Sequence, residues 1–156
     1  MPENGLRGLP IRSDAPCFQV HRNGSNQAGL TSGSETKIQF TFKEIDSHGW
    51  FDAVTNYRFK PQIPGKYLIV LTTQMLTTAS GTFVIARIFK NGAKAAQGTA
   101  IQNNGTSGNV SIASRILDMN GSTDYVEGYV FHNKGSNADL DGTSTETFMY
   151  GVRVRG

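Results

Sequence analysis

The apolar side chains of this chain come in short runs, and most runs follow the two-residue period of an extended strand. Residues 37–42 read KIQFTF, which sets Ile38, Phe40 and Phe42 on an inner face and Lys37, Gln39 and Thr41 on an outer one. Further strand-like runs are CFQVHR (17–22), WFDAVTNYRF (50–59), KYLIVLTTQML (66–76) and TFVIARIFK (82–90). VSIASRILDM (110–119), DYVEGYVFH (124–132) and TFMYGVRV (147–154) complete the series. Turn signals separate them. Asn91-Gly92 and Asn120-Gly121 are hairpin dipeptides, and KPQIPG (60–65) carries two prolines and a glycine that stop pairing. No run shows the helical period and no internal repeat is visible. The pattern predicts an all-β domain of about eight to ten strands, a sandwich or jelly roll, over residues 15–156. Residues 1–14 are polar and aperiodic and read as an N-terminal arm or linker.

Some of these strands are apolar on both faces. KYLIVL places Tyr67, Ile69 and Leu71 on one face and Leu68 and Val70 on the other. TFVIARIF sets Phe83, Ile85 and Phe89 against Val84, Ala86 and Ile88, and DYVEGYVF sets Tyr125, Tyr129 and Phe131 against Val126 and Val130. A sandwich strand needs one dry face, and each large apolar side chain left in water forgoes about 1.5–3 kcal/mol. Adjacent wet strands of this kind predict association between copies, with closed rings the usual outcome. Cover by a loop or by the N-terminal arm is the competing explanation. Glu127 and Arg87 share those apolar faces, so a Glu–Arg pair between subunits is one way to satisfy them.

Composition narrows the functional classes. At 156 residues the chain is long enough for one substantial core. Its formal net charge is +3, with the basic residues thinly spread, which argues against nucleic acid as a partner. No stretch approaches the roughly 18 apolar residues of a membrane span. MPENGLRGLPIRSDAP lacks the apolar centre of a secretory signal, so the chain is expected to be made and folded inside a cell. The single cysteine, Cys17, forbids an internal disulfide and reads as a packed thiol. His21, His48 and His132 are far apart and lack metal-ligand spacing. Cys17 and His21 share a strand face about 13 Å apart, too far for a nucleophile and its base. With no catalytic constellation, the chain is expected not to be an enzyme.

One block carries a resemblance. Gly49-Trp50-Phe51, seven residues, then Phe59-Lys60-Pro61-Gln62-Ile63-Pro64-Gly65-Lys66-Tyr67-Leu68 is similar to the signature of the complement first-component globular head and its tumour-necrosis-factor-like relatives. Thr147-Phe148-Met149-Tyr150-Gly151-Val152 resembles the closing strand of that family, and Lys90-Asn91-Gly92 falls in order between them. The turn Gly121-Ser122-Thr123-Asp124 departs from the usual Gly-Asp, and no collagen-like Gly-X-Y stalk is present. The resemblance implies a jelly roll of about ten strands assembled as a homotrimer, with Tyr67, Ile69, Tyr125, Tyr129 and Phe131 as the expected trimer-interface face. Some heads of the family bind calcium, and Asp139 and Asp141, beside Asn137, offer the oxygen ligands it takes. A solvated polar loop is the plainer reading, and no other cofactor is expected.

Two functions remain from this reading. In the first, the chain is a non-enzymatic structural protein of a bacteriophage virion, assembled in the host cytoplasm and placed on the tail, a fibre or the capsid. Leu6, Leu9 and Ile11 would anchor the arm to other virion proteins. Loops 23–36, 103–109 and 133–145, including Asn104, Asn137, Asp139 and Asp141, would face a host-surface glycan or protein. The solitary thiol and the loops rich in Asn, Gly, Ser and Thr favour it. In the second, the chain is a soluble cellular module, similar to the complement head, that binds a protein or glycan.

Overall fold

Strand Gly65–Gln74 (β7) shows how the alternation is used: Tyr67, Ile69 and Leu71 are wholly buried while Leu68 and Val70 between them stay partly exposed. The same logic, repeated along the chain, builds a sandwich. A computed structural model describes residues 15–76, 80–103 and 108–155, and among these every regular element is a strand. In order they are β1 (Cys17–His21), β2 (Gln27–Leu30), β3 (Thr36–Lys37), β4 (Phe42–Asp46), β5 (Phe51–Asp52), β6 (Arg58–Phe59) and β7. Then follow β8 (Phe83–Lys90), β9 (Ala93–Gln97), β10 (Ile101–Gln102), β11 (Val110–Met119), β12 (Val126–His132), β13 (Ala138–Leu140) and β14 (Phe148–Arg155).

The first sheet has the order β11-β7-β14-β1-β4, and the second runs β10-β8-β12-β6-β5 with β3 on β12 and β9 on β8. Every pairing is antiparallel. Between the sheets lie Phe18 and Val20 from β1, the inner row of β7, Met149 from β14, and Val84, Ala86, Ile88, Val126 and Val130 from the facing sheet. An aromatic cluster closes one end of this core. Phe18 stacks on Phe59 at 4.2 Å and on Phe51 at 5.6 Å, and Phe59 meets Tyr67 edge-on at 5.8 Å. The Tyr67 hydroxyl donates to the Ile63 carbonyl at 2.9 Å, which satisfies its polar atom in a buried place. Gly151 lets β14 pass: a Cβ there would lie 2.5 Å from Phe18 and 2.7 Å from Ile69.

Several predicted elements are redrawn. KIQFTF is not one strand. Its first residue belongs to β3 on the second sheet and its last to β4 on the first, and Ile38 and Phe40 are buried in the crossing between them. Phe42 therefore faces outward and stacks on His21 at 4.8 Å. WFDAVTNYRF folds into the short hairpin β5–β6, because Asp52 accepts N–H groups of Val54, Thr55 and Asn56 and holds the turn. Loops 23–36 and 133–145 each contain a strand, and β2 and β13 pair with one another. The Asn91-Gly92 hairpin forms as read, both residues having positive φ (52° and 77°).

Candidate functional site

Alternation gives each sheet an outer face, and the two faces differ in how their apolar side chains are covered. On the second sheet, β8 and β12 turn Phe83, Ile85, Phe89, Tyr129 and Phe131 outward. These pair across the strands, Phe89 with Tyr129 at 4.2 Å and Phe83 with Phe131 at 6.1 Å. Cations lie on the rings. Arg87 is 4.5 Å from the Phe131 centroid, Arg58 is 4.5 Å from Tyr125 and Lys37 is 5.9 Å from Tyr129. Glu127, buried on this face, takes Lys37 at 2.5 Å, and Arg87 pairs with Glu35. Both charges thus find partners inside one chain, not the Glu–Arg pair between subunits that the sequence suggested. Burial works against the Lys37 ammonium. The hydrogen bond and charge of Glu127, aided by Tyr129 and Tyr125, still hold it above the ordinary lysine range. Burial likewise pushes the Tyr129 phenol up.

The first sheet is different. Register places Ile116, Leu68, Val152 and Cys17 in one outward row, Ser114, Val70, Tyr150, Gln19 and Ile45 in the next, and Ile112, Thr72, Phe148, His21 and Phe42 in a third. Ile112 and Ile116 are 57% and 55% exposed, and Phe42 and Ile45 are also open to solvent. Polar groups gather at the margins. Lys66 pairs with Asp118 at 2.5 Å, and Gln19 donates to Glu44 at 2.7 Å. Among the described residues nothing covers the outward side chains of Ile112, Ile116, Phe42 and Ile45.

The five expected interface residues therefore do not share a surface. Tyr67 and Ile69 point inward from β7 and have no exposed area for a neighbour, the reverse of the expectation. Tyr125, Tyr129 and Phe131 lie on the outside of the other sheet, where their own chain partly covers them. The error was one of facing. A period of two sorts residues into two sets and is silent about which set is inside. Ile112 and Ile116 face outward from β11, whose inward side chains include Ser111, Ala113, Leu117 and Met119.

Loops from both sheets meet at the end of the sandwich where β1, β7 and β12 finish. Gly24 N–H donates to Gly142 O at 2.8 Å, Asp141 N–H to Gln74 O at 2.8 Å and Gly33 N–H to His132 O at 2.8 Å. A Cβ at Gly142 would sit 2.0 Å from the Ser25 oxygen, so glycine is required for this contact. Arg22, nearly buried, fans its guanidinium over the carbonyls of Ser25 (2.8 Å), Asn26 (3.1 Å) and Gln39. Burial holds it below the usual arginine range, while the Tyr57 phenol pulls the other way. Asn137 is exposed here. Asp139 accepts the Gly29 N–H of β2 at 2.9 Å and Asp141 the Thr143 N–H of its own loop at 2.8 Å, so each carboxylate has a backbone partner. Among the described residues no group of three or more His, Cys, Asp or Glu is placed to hold a metal ion. Asn104 and the arm residues Leu6, Leu9 and Ile11 lie outside the described residues.

No family model matches the chain, and a search of curated proteins finds no match. Solved structures do match. A crystal structure of murine APRIL at pH 5.0 is similar with a TM-score of 0.65 at 10% identity, over 90% of this chain and 99% of that one. The structure of Eiger TNF from S. frugiperda is similar with a TM-score of 0.65 at 11% identity, over 90% of this chain and 93% of that one. The fold is thus a tumour-necrosis-factor-like jelly roll, in agreement with the resemblance read from Gly49–Leu68.

Proposed function

We propose that this protein is a non-enzymatic homotrimeric display head of a bacteriophage virion, on tail, fibre or capsid, that presents its loops to a host surface. The observation that carries the reading is the apolar outer face of the first sheet, which no described residue covers. Ile112, Ile116, Leu68, Val70, Tyr150, Phe148 and Phe42 form one continuous patch that a second and third copy would shelter. That face replaces the one expected from Tyr125, Tyr129 and Phe131. The loop end, held by Arg22 and the β2–β13 pair, is the display surface, and threefold presentation multiplies weak single contacts. Residues 1–14 dock the head to other virion proteins through Leu6, Leu9 and Ile11.

The virion setting is supported by the lone thiol and by loops rich in Asn, Gly, Ser and Thr. A cellular ligand-binding module of the same fold is the second reading. Sedimentation velocity tests the core of the proposal: the purified chain should run at three chain masses, and a monomer at high concentration defeats it. Antibodies against the head should decorate phage particles; labelling confined to particle-free cell fractions would favour the cellular module.

A further inference from the structure

Two histidines that looked unrelated in the sequence perform the same job. His21 ends β1 and His132 ends β12, and both are buried at the loop end. Each ring accepts at Nδ1 a backbone N–H from two residues ahead, Asn23 at 2.9 Å for His21 and Lys134 at 3.4 Å for His132. A backbone N–H can only donate, so both Nδ1 atoms must carry a lone pair. At His132 the other nitrogen, Nε2, is 2.9 Å from the Leu30 carbonyl, which can only accept. Its partners thus admit one species: the neutral ring with its proton on Nε2.

We propose that His132, with His21 in support, is an acid-release latch for the loop end. Proton uptake at Nδ1 turns an acceptor into a donor facing another donor, so the Lys134 contact is lost and an imidazolium is left buried. β8 presents Val84 across from His132, and β2 presents Leu30. β13 carries Asp139, whose Oδ1 is on the Gly29 N–H, and the next charge along the chain is the cation Lys134. Among the described residues His132 has no carboxylate within 4 Å. His21 is buffered: Glu44 Oε2 lies 3.6 Å from its Nε2, Phe42 and Phe148 flank it on β4 and β14, and Lys43 is turned to Asp46. His132 is therefore the stronger sensor.

The latch controls a definite region. His132 joins β12 to β2 through Leu30, and β2 carries β13 with it. The same corner holds the Gly33 N–H to His132 O bond and the Gly135 N–H to Ser32 Oγ bond, both 2.8 Å. Since the loosened end binds an extra proton, falling pH favours it.

Amide hydrogen exchange from pH 7.5 to 5.0, corrected for its intrinsic pH dependence, tests this. Protection at Gly33, Lys134 and Gly135 should fall as the pH drops while β7 and β14 amides stay level. His132→Gln keeps a donor and an acceptor but cannot take the proton, and should flatten the response. Should that variant not fold, imidazole ¹⁵N spectra of the wild type decide: protonation of His132 must coincide with loss of protection. Level protection in the wild type, an unchanged response in His132→Gln, or protonation without any change at those amides would each overturn the latch.

Discussion

Glu127 and Lys37 meet at 2.5 Å across β12 and β3, and the pair sits within the aromatic outer face of the second sheet. Glu127 is almost completely buried, whereas Lys37 keeps about a third of its side chain in water. The carboxylate depends on the pair more than the ammonium does. Glu127→Leu removes the charge but leaves Lys37 half-sheltered beneath Tyr129, and should lower stability by about 1–3 kcal/mol in urea unfolding with an unchanged m-value.

The same pair has a pH signature at the alkaline end. Lys37 is held above its unfolded value, so the stability it adds is complete below about pH 10.4. That stability disappears as pH rises through the folded value. Wild type should therefore lose stability in this range faster than Lys37→Met, followed by thermal melts between pH 9 and 11.

Much of this architecture could be read from residue order, and the failures share a cause. The strands 65–74, 83–90, 110–119 and 148–155 and the Asn91-Gly92 turn follow from alternation and turn chemistry, which are local. Which side of Tyr67 faces the opposite sheet is not local. It depends on Phe59, itself stacked on Phe18, arriving from elsewhere to meet it. KIQFTF failed for a similar reason: its alternation is sound, yet Ile38 and Phe40 bury their side chains while the backbone crosses between sheets. The roles of His21 and His132 rest on N–H groups only two residues away, but nothing in the spacing reveals a ring turned toward its own backbone.

The two outer faces make opposite predictions for assembly. Ile112→Glu with Ile116→Glu places charges on side chains more than half exposed, so the fold should survive with little loss. The trimer should not, because the charges enter the proposed interface along its β11 side. Tyr129→Glu lies on the other sheet and should leave the assembly intact. Light scattering on both variants checks this, and the reverse pattern would return the interface to the second sheet.

Acid should act separately on the β5–β6 turn. The N–H groups of Thr55 and Val54, with the Asn56 side chain, hold Asp52 well below the usual carboxylate range. A depressed carboxylate adds stability above its unfolded value of about 3.9, and that share is lost as pH falls toward the folded value. Asp52→Asn should be less stable than wild type at pH 7. The gap should narrow as pH drops below 4, in thermal melts at matched ionic strength.

Gly151 offers the sharpest test of packing. It faces the core on β14, directly opposite Phe18 on β1, and a Cβ would press on the Phe18 ring and on Ile69 at distances no real contact adopts. Neither neighbour can retreat, since Phe18 is stacked on Phe59 and Phe51 and Ile69 is wholly buried. Gly151→Ala should therefore cost about 1–3 kcal/mol, as overpacked cores do. Pairing it with Phe18→Leu should recover part of the loss, because the smaller side chain vacates the space the methyl needs. Strict additivity in that double-mutant cycle would mean that the two residues do not press on one another, contrary to the packing described here.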